Sequence, residues 1–285
     1  MRNPATQQPS QPLRTGVLGL GAMGAPIASH LLGAGLPVSV LDRDPDVVAK
    51  AVAAGAQVAG DLVELAAGCR VVLVLLPTDV DVLEACTGEA GLLSAAPDGS
   101  TLVICSSVRP STCEQVQEAA PRGIAVLDAA LTGGLRAAVM GQINLLVGGD
   151  GAVLDRVRPV LEPWTSGVHL LGRLGAGQVA KTANNLLHWA QIAAITESFE
   201  LARRYGVSAP DLRRALVHGP TDSRTMRELE DFRFTWYEKD IENALVMAQE
   251  VAFLLPGAER SRDAMRQISV DKMALLLRGE DPQLP

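Results

Sequence analysis

Excess positive charge is the first thing this chain lacks. Its 25 Lys and Arg are outnumbered by 32 Asp and Glu, giving a formal charge of −7. It therefore offers neither nucleic acid nor an anionic membrane the concentrated cationic surface that would hold it, and a small molecule is the expected partner. Cysteine and histidine are scarce as well, four of each. Cys69, Cys86, Cys105 and Cys113 form no C-x-x-C pair, and no histidines stand at metal-ligand spacing with them. That pattern argues against a disulfide framework, predicts no metal site, and favours a reducing, cytoplasmic location. Long apolar runs are missing too: the longest, VVLVLLP at 71–77, is far short of the roughly 20 residues a membrane span needs. The first dozen residues, MRNPATQQPSQP, have no apolar stretch of the signal-peptide kind, and residues 1–13 read as a disordered arm.

What is present is apolar and periodic. With 285 residues, 48% of them hydrophobic, the chain can bury one large core or two smaller ones. Short β-rich runs bounded by Gly, Pro or Asp fall at 15–20, 37–42, 71–76, 100–105, 124–129, 143–149 and 167–172. Helical patterns lie between most of them, at 22–34, 45–54, 79–86, 110–119 and 151–161. Such alternation predicts an α/β fold, a doubly wound, mainly parallel sheet with helices on both faces. After Gly172 the texture changes to sustained helical spacing. A long, largely buried helix is predicted from about 175, followed by helices at 210–217, 225–231 and 238–255. Because GLGAMG at 19–24 opens the first helix with glycines in G-x-G-x-x-G spacing, the domain reading is a dinucleotide-binding Rossmann-type domain at 14–172 and an all-helical domain at 173–285, with the active site in the cleft between them.

The chemistry starts at the end of the first strand, where GLGAMG sets Gly19, Gly21 and Gly24 in G-x-G-x-x-G spacing, with Leu20, Ala22 and Met23 between. Glycines suit this place because the turn is tight, the main chain must approach a pyrophosphate, and the helix must pack close to its strand. The second strand ends at Asp42, 21 residues beyond Gly21, where a carboxylate can accept from an adenosine ribose and repel a 2′-phosphate. This predicts NAD; Arg43, next in the chain, keeps NADP possible. Later strand ends, LLPTD with Leu76 and Pro77, CSSVRPS with Ser106 and Ser107, and DAALTGG, are the candidate nicotinamide-side segments. For Ser106 and Ser107 two readings stand equally, capping the helix after Pro110 or touching the ligand.

GAGQVAKTANN at 175–185 holds the conspicuous cation. Lys181 and Asn185 sit one turn apart among Val179, Ala180, Ala183, Leu186 and Leu187, and a charge in such company needs a reason. The functional reading is an amine that exchanges a proton with a substrate hydroxyl or carbonyl, with Asn185 holding a substrate oxygen. The alternative is a snorkelling surface lysine at a helix start. His188 and Trp189, further along, are expected to pack at a domain or subunit interface, and RRYG and LRRAL to be solvated helix faces.

GLGAMG, DAALTGG, GAGQVAKTANN and YEKD occur in an order and spacing that resembles the β-hydroxyacid dehydrogenases, over residues 14 to about 255. That resemblance implies a dinucleotide domain like the NAD-binding domain of 6-phosphogluconate dehydrogenase, and reversible NAD(P)-dependent oxidation of a small, anionic β-hydroxy acid. It implies Lys181 as general acid/base, Thr132, Gly133, Gly134, Asn185 and Asp240 at the substrate, Lys239 closing the site at the cofactor, and a homodimer or homotetramer. Thr132 stands where the family has serine and Ala130 where it has proline, and the stretch from Ser223 to Lys239 is about ten residues shorter than the resemblance leads one to expect. Two rivals are an imine reductase, which shares the architecture but carries an acidic or tyrosyl group at the lysine position, and a non-catalytic dinucleotide-binding scaffold.

Overall fold

A computed structural model describes residues 13–281; of the arm expected at 1–13, all but Leu13 lies outside them. The chain divides into two compact units, Met1–Lys181 and Thr182–Pro285.

The first unit runs β1 (Thr15–Leu18), α1 (Gly24–Gly33), β2 (Val38–Leu41), α2 (Pro45–Ala53), β3 (Gln57–Val58), α3 (Leu62–Gly68), β4 (Val71–Val74), α4 (Asp79–Thr87), α5 (Leu92–Ala95), β5 (Thr101–Ile104), α6 (Pro110–Ala119), β6 (Ala125–Thr132), α7 (Gly134–Val139), β7 (Ile143–Gly148), α8 (Gly151–Leu161) and β8 (Thr165–Gly172). The eight strands form one sheet in the order β3-β2-β1-β4-β5-β6-β7-β8. Every pairing is parallel except β6 with β7. The six-residue α7 is too short a crossover to bring the chain back parallel, so the strand turns round. β1, β4 and β5 are buried along their whole length, as continuous apolar runs in a doubly covered sheet must be. Alternate residues serve opposite faces. Val17, Leu73, Val103 and Leu127 join a core under α1 and α8, while Leu18, Val72, Val74 and Ile104 join another under α3, α4 and α6.

Three differences from the sequence reading have local causes. β3 and α3 were not anticipated, because Gln57–Val58 is two exposed residues with no apolar run to mark it. β6 extends to Thr132, so Asp128 lies inside a strand rather than at its end. Neither Ser106 nor Ser107 caps α6: its N-cap is Arg109, with no side-chain cap.

α9 (Ala176–Arg204) begins in the first unit and ends in the second, which continues with α10 (Ala209–Leu216), α11 (Arg224–Arg227), a 3-10 turn at Leu229–Asp231, α12 (Tyr237–Glu250), α13 (Pro256–Met265) and α14 (Val270–Leu277). Trp189, Ile192, Ile195 and Phe199 line one stripe of α9 and pack with Met226, Leu229, Ile241, Met265 and Met273. Each such side chain, once fully buried, contributes roughly 1.5–3 kcal/mol. The helix is amphipathic rather than largely buried, since Leu187 and Leu201 are 65% and 60% exposed. The helix expected at 238–255 ends at Glu250: Ala252 takes φ 52°, and Pro256 opens the next helix at its first position, where a proline costs no hydrogen bond. Trp189 joins this unit's core, and His188 is half-buried beside it. Trp189 is buried and donates to Asp240 Oδ2 at 3.0 Å, while His188 meets Thr225 Oγ1 at 2.9 Å and the edge of Phe232. Arg213 is not a solvated face either; it donates to Met226 O and pairs with Glu230, tying down the short turns.

Candidate active site

Strand order reverses between β1 and β4, and an open α/β sheet binds its ligand beyond the carboxyl ends of the strands at that reversal. The glycine loop lies there. An added Cβ on Gly24 would stand 1.9 Å from Gly19 O, and one on Gly19 would stand 2.4 Å from Leu75 O, so these two glycines are demanded by main-chain approach. At Gly21 a Cβ would meet nothing within 4 Å; the residue faces open space, as does exposed Ala22. α1 starts at N-cap Met23 with no side-chain cap; in its first turn Ala25 N donates to Gly21 O at 3.2 Å and Pro26 has no N–H, so an anion is offered the helix dipole and the loop's main chain rather than a row of free N–H groups. Asp42 Oδ2 accepts from Leu20 N at 2.5 Å and Oδ1 from Asp44 N at 2.9 Å. It thus braces the loop while its remaining lone pairs stay available. Arg43 is exposed beside it. A turn with open backbone, an uncapped helix start and a braced carboxylate fit a dinucleotide's pyrophosphate and ribose.

The next strand ends are stitched together. Leu76 N donates to Ser106 Oγ at 2.7 Å, and that hydroxyl donates to Val74 O at 3.2 Å. The Ser106 hydroxyl hydrogen is therefore used inside the protein, fixing the Leu76–Pro77 turn. Asp79, at the start of α4, accepts from Arg109 N at 2.9 Å and from the Thr112 hydroxyl. Burial alone would raise its pKa; the Thr112 and Arg109 hydrogen bonds and the Arg109 charge outweigh that and hold it below the usual value. At the end of β6, Thr132 donates to Asn144 O at 2.9 Å and accepts from Asn144 Nδ2 at 3.1 Å. Asn144 Oδ1 in turn meets His169 Nε2 at 2.7 Å. Thr132 can thus offer a ligand one lone pair but no hydrogen. Gly133 and Gly134 follow at φ 107° and 69°, with Gly134 exposed and Arg136 exposed beyond it.

Asp128 has no exposed surface, yet it accepts from Gly175 N at 2.6 Å and Gln178 N at 2.8 Å, in the first turn of α9. Burial pushes its pKa up, and the main-chain N–H groups of Gly175, Gln178 and Gly177 pull it back. Gln178, 1% exposed, donates through Nε2 to Ser106 O at 2.9 Å and accepts through Oε1 from Val108 N at 3.2 Å. Lys181 is half-buried three residues further on. In the second unit Asn185 is half-buried and accepts from Asn184 Nδ2 at 3.1 Å; Lys239 and Asp240 occupy the first turn of α12, Asp240 holding Trp189. Asp128, Gln178 and Asn144 did not emerge from the sequence as functional residues. The available signal was the single charge in AVLDAALT, since a carboxylate in an apolar strand is rarely without purpose.

Residues 14–172 match the family model described as the NAD binding domain of 6-phosphogluconate dehydrogenase. Residues 175–274 match that described as NAD-binding of NADP-dependent 3-hydroxyisobutyrate dehydrogenase. The 3-hydroxyisobutyrate dehydrogenase of Pseudomonas aeruginosa is 38% identical over 191 residues, 67% of this chain and 64% of that protein, so the match spans less than two thirds of the relative's own length. The 2-hydroxy-3-oxopropionate reductase of Escherichia coli is 30% identical over 256 residues, covering 86% and 87%. Among solved structures, Mycobacterium tuberculosis 3-hydroxyisobutyrate dehydrogenase with L-serine superposes with a TM-score of 0.83 at 29% identity, over 95% of this chain and 97% of that one.

Proposed function

The chain belongs to the β-hydroxyacid dehydrogenase family, and from that premise we propose that it interconverts a small β-hydroxy carboxylate and its aldehyde or keto form with NAD(P) as the redox partner. The observation that carries the reading is the anchorage of α9. Gln178 is bonded to the main chain at the carboxyl end of β5, and Lys181, at i+3, shares its helix face. Through Gln178 that face is tied to the segment after β5, and an open sheet binds its ligand beyond such strand ends.

A bound nicotinamide supplies the hydride acceptor for oxidation and the donor for reduction. The protein's part is proton transfer and orientation. In oxidation the neutral Lys181 amine takes the proton of the substrate hydroxyl; in reduction its ammonium returns a proton to the carbonyl oxygen. Gly133 and Gly134 offer main-chain N–H groups to the substrate, and Thr132, its hydrogen committed to Asn144, offers only an acceptor. Asn185 and Asp240 are the further substrate residues, and Lys239 is assigned to the cofactor. Asp42 favours NAD, because a carboxylate repels a 2′-phosphate. Val251, Phe253 and Leu254, at 72%, 63% and 85% exposure, support self-association as a homodimer or homotetramer, which light scattering on the eluted protein measures. No helix among the described residues is long and apolar enough to cross a membrane; four buried free thiols favour a cytoplasmic setting.

The test is a panel followed at the nicotinamide absorbance with NAD and NADP: 3-hydroxyisobutyrate, L-serine and tartronate semialdehyde, the molecules named for the relatives, with a cyclic imine as control. Lys181→Ala should lower kcat by about 10²–10⁴-fold with cofactor affinity nearly unchanged. Wild-type turnover in that variant, or turnover of the imine alone, defeats the reading.

A further inference from the structure

A fully buried carboxylate in a β-strand is costly unless its lone pairs are met. Those of Asp128 are met by one structure, the opening turn of α9, through Gly175 N and Gln178 N. These belong to the N–H groups that a helix start leaves without partners. The approach is possible only because two neighbours have no side chain. A Cβ on Gly148 would stand 2.3 Å from Asp128 Oδ1, and one on Gly177 would stand 2.6 Å from Oδ2 and 2.2 Å from Leu146 O. Gln178 supplies a second pin in another direction, to Ser106 O and Val108 N on the segment after β5. A single pin fixes where a helix begins. Two pins to different strands also fix its rotation about its axis.

We infer that Asp128 and Gln178 are positioning residues that set where the Lys181 amine lies, an inference that rests on the acid/base reading of Lys181. Lys181 follows Gln178 by three residues on the same face, so the rotation that satisfies the Gln178 amide also directs the lysine. Asp128 and Thr132 lie four residues apart on β6 and point to the same side of the sheet. One strand therefore carries the substrate turn at its end and holds the helix of the base at its middle. Their separation is set by a strand and a helical turn, not by a loop. An amide could not replace the carboxylate, because Asn would turn an NH₂ group toward N–H donors.

The experiment uses the full chain, the panel substrate and cofactor that it turns over, and four forms: wild type, Asp128→Asn, Lys181→Ala and the double variant. Asp128→Asn is expected to lower kcat by about 10–100-fold, the cost of a displacement near 1 Å, while NADH affinity by fluorescence titration changes less than about twofold. Amide exchange at 175–178 should quicken. In the Lys181→Ala background the same substitution should cost less than about twofold, because residues acting through one another are not additive. Losses that multiply in the double variant, or an Asp128→Asn protein with wild-type kcat, overturn the positioning role. Should Asp128→Asn fail to fold by circular dichroism, Gln178→Met, which keeps volume and removes both side-chain bonds, is read through the same cycle. Full turnover in Lys181→Ala overturns the acid/base reading and this inference with it. An inactive Lys181→Ala with multiplying losses overturns the positioning role alone.

Discussion

The buried carboxylate of the first unit, Asp128, is satisfied by main-chain N–H groups, whereas that of the second, Glu200, is satisfied by the side chains of Arg203 and Arg204 at 2.8 and 2.7 Å. Main-chain partners cannot move without moving a helix or a strand, so the first arrangement transmits position. Arginine forks sit on flexible stems and adapt, so the second gives local stability and transmits little. Glycines pressed against main chain fall in the first unit, which also has open ones such as Gly21. In the first unit Gly24, Gly148 and Gly177 stand where an added Cβ would strike the main chain; in the second, Gly257 and Gly206 have nothing within 4 Å. The first unit adds tight main-chain contacts to its two apolar cores, while the second rests on apolar side chains around α9 that can be exchanged at similar volume.

The sharpest way to break this contrast is a pair of alanines. Gly177→Ala should destabilise by about 1–3 kcal/mol, as overpacking against a fixed carbonyl does. Gly257→Ala, in open space on α13, should be neutral or stabilising by up to about 1 kcal/mol. Chemical denaturation of both variants measures this, and equal losses would erase the distinction. A smaller effect is expected from Met265→Leu in the helical core, a volume-conserving exchange that should cost less than about 1.5 kcal/mol; a larger loss would mean that this core is as closely fitted as the first unit. The smallest concerns Glu200. Hydrogen bonds from Arg203, opposed by burial and joined by those from Arg204, hold its pKa near about 2 against an ordinary 4.5. A lowered folded-state pKa adds stability that is complete above 4.5 and is lost as pH falls through about 2. The advantage of wild type over Glu200→Gln should therefore be no more than about 1 kcal/mol at pH 7, and melting curves should show it shrinking between pH 5 and 2. A difference independent of pH would remove the ion pair from the account.

The candidate site was read from signals that are local. The glycine spacing at 19–24, the carboxylate 21 residues after Gly21, and a lysine with an asparagine one turn later on an apolar helix each lie within a short window, where chain geometry alone relates the residues. Expectations that depended on distant partners fared differently. Trp189 was expected at an interface and lies in a core, because its partner Asp240 is 51 residues away. Ser106 was read as a cap or a ligand contact; its hydroxyl meets Val74 and Leu76, some 30 residues earlier.

By itself, then, the sequence determined the α/β alternation, the glycine loop and the helical second half, because periodicity and turn chemistry act over a few residues. Only the tertiary structure decided the reversal of β7, the burial of Asp128 beneath a helix start 47 residues on, and the anchorage of Gln178 to segments 70 and 72 residues back. Those depend on which side chains and main-chain groups come within hydrogen-bond reach of one another once the sheet has closed, and no local pattern records that.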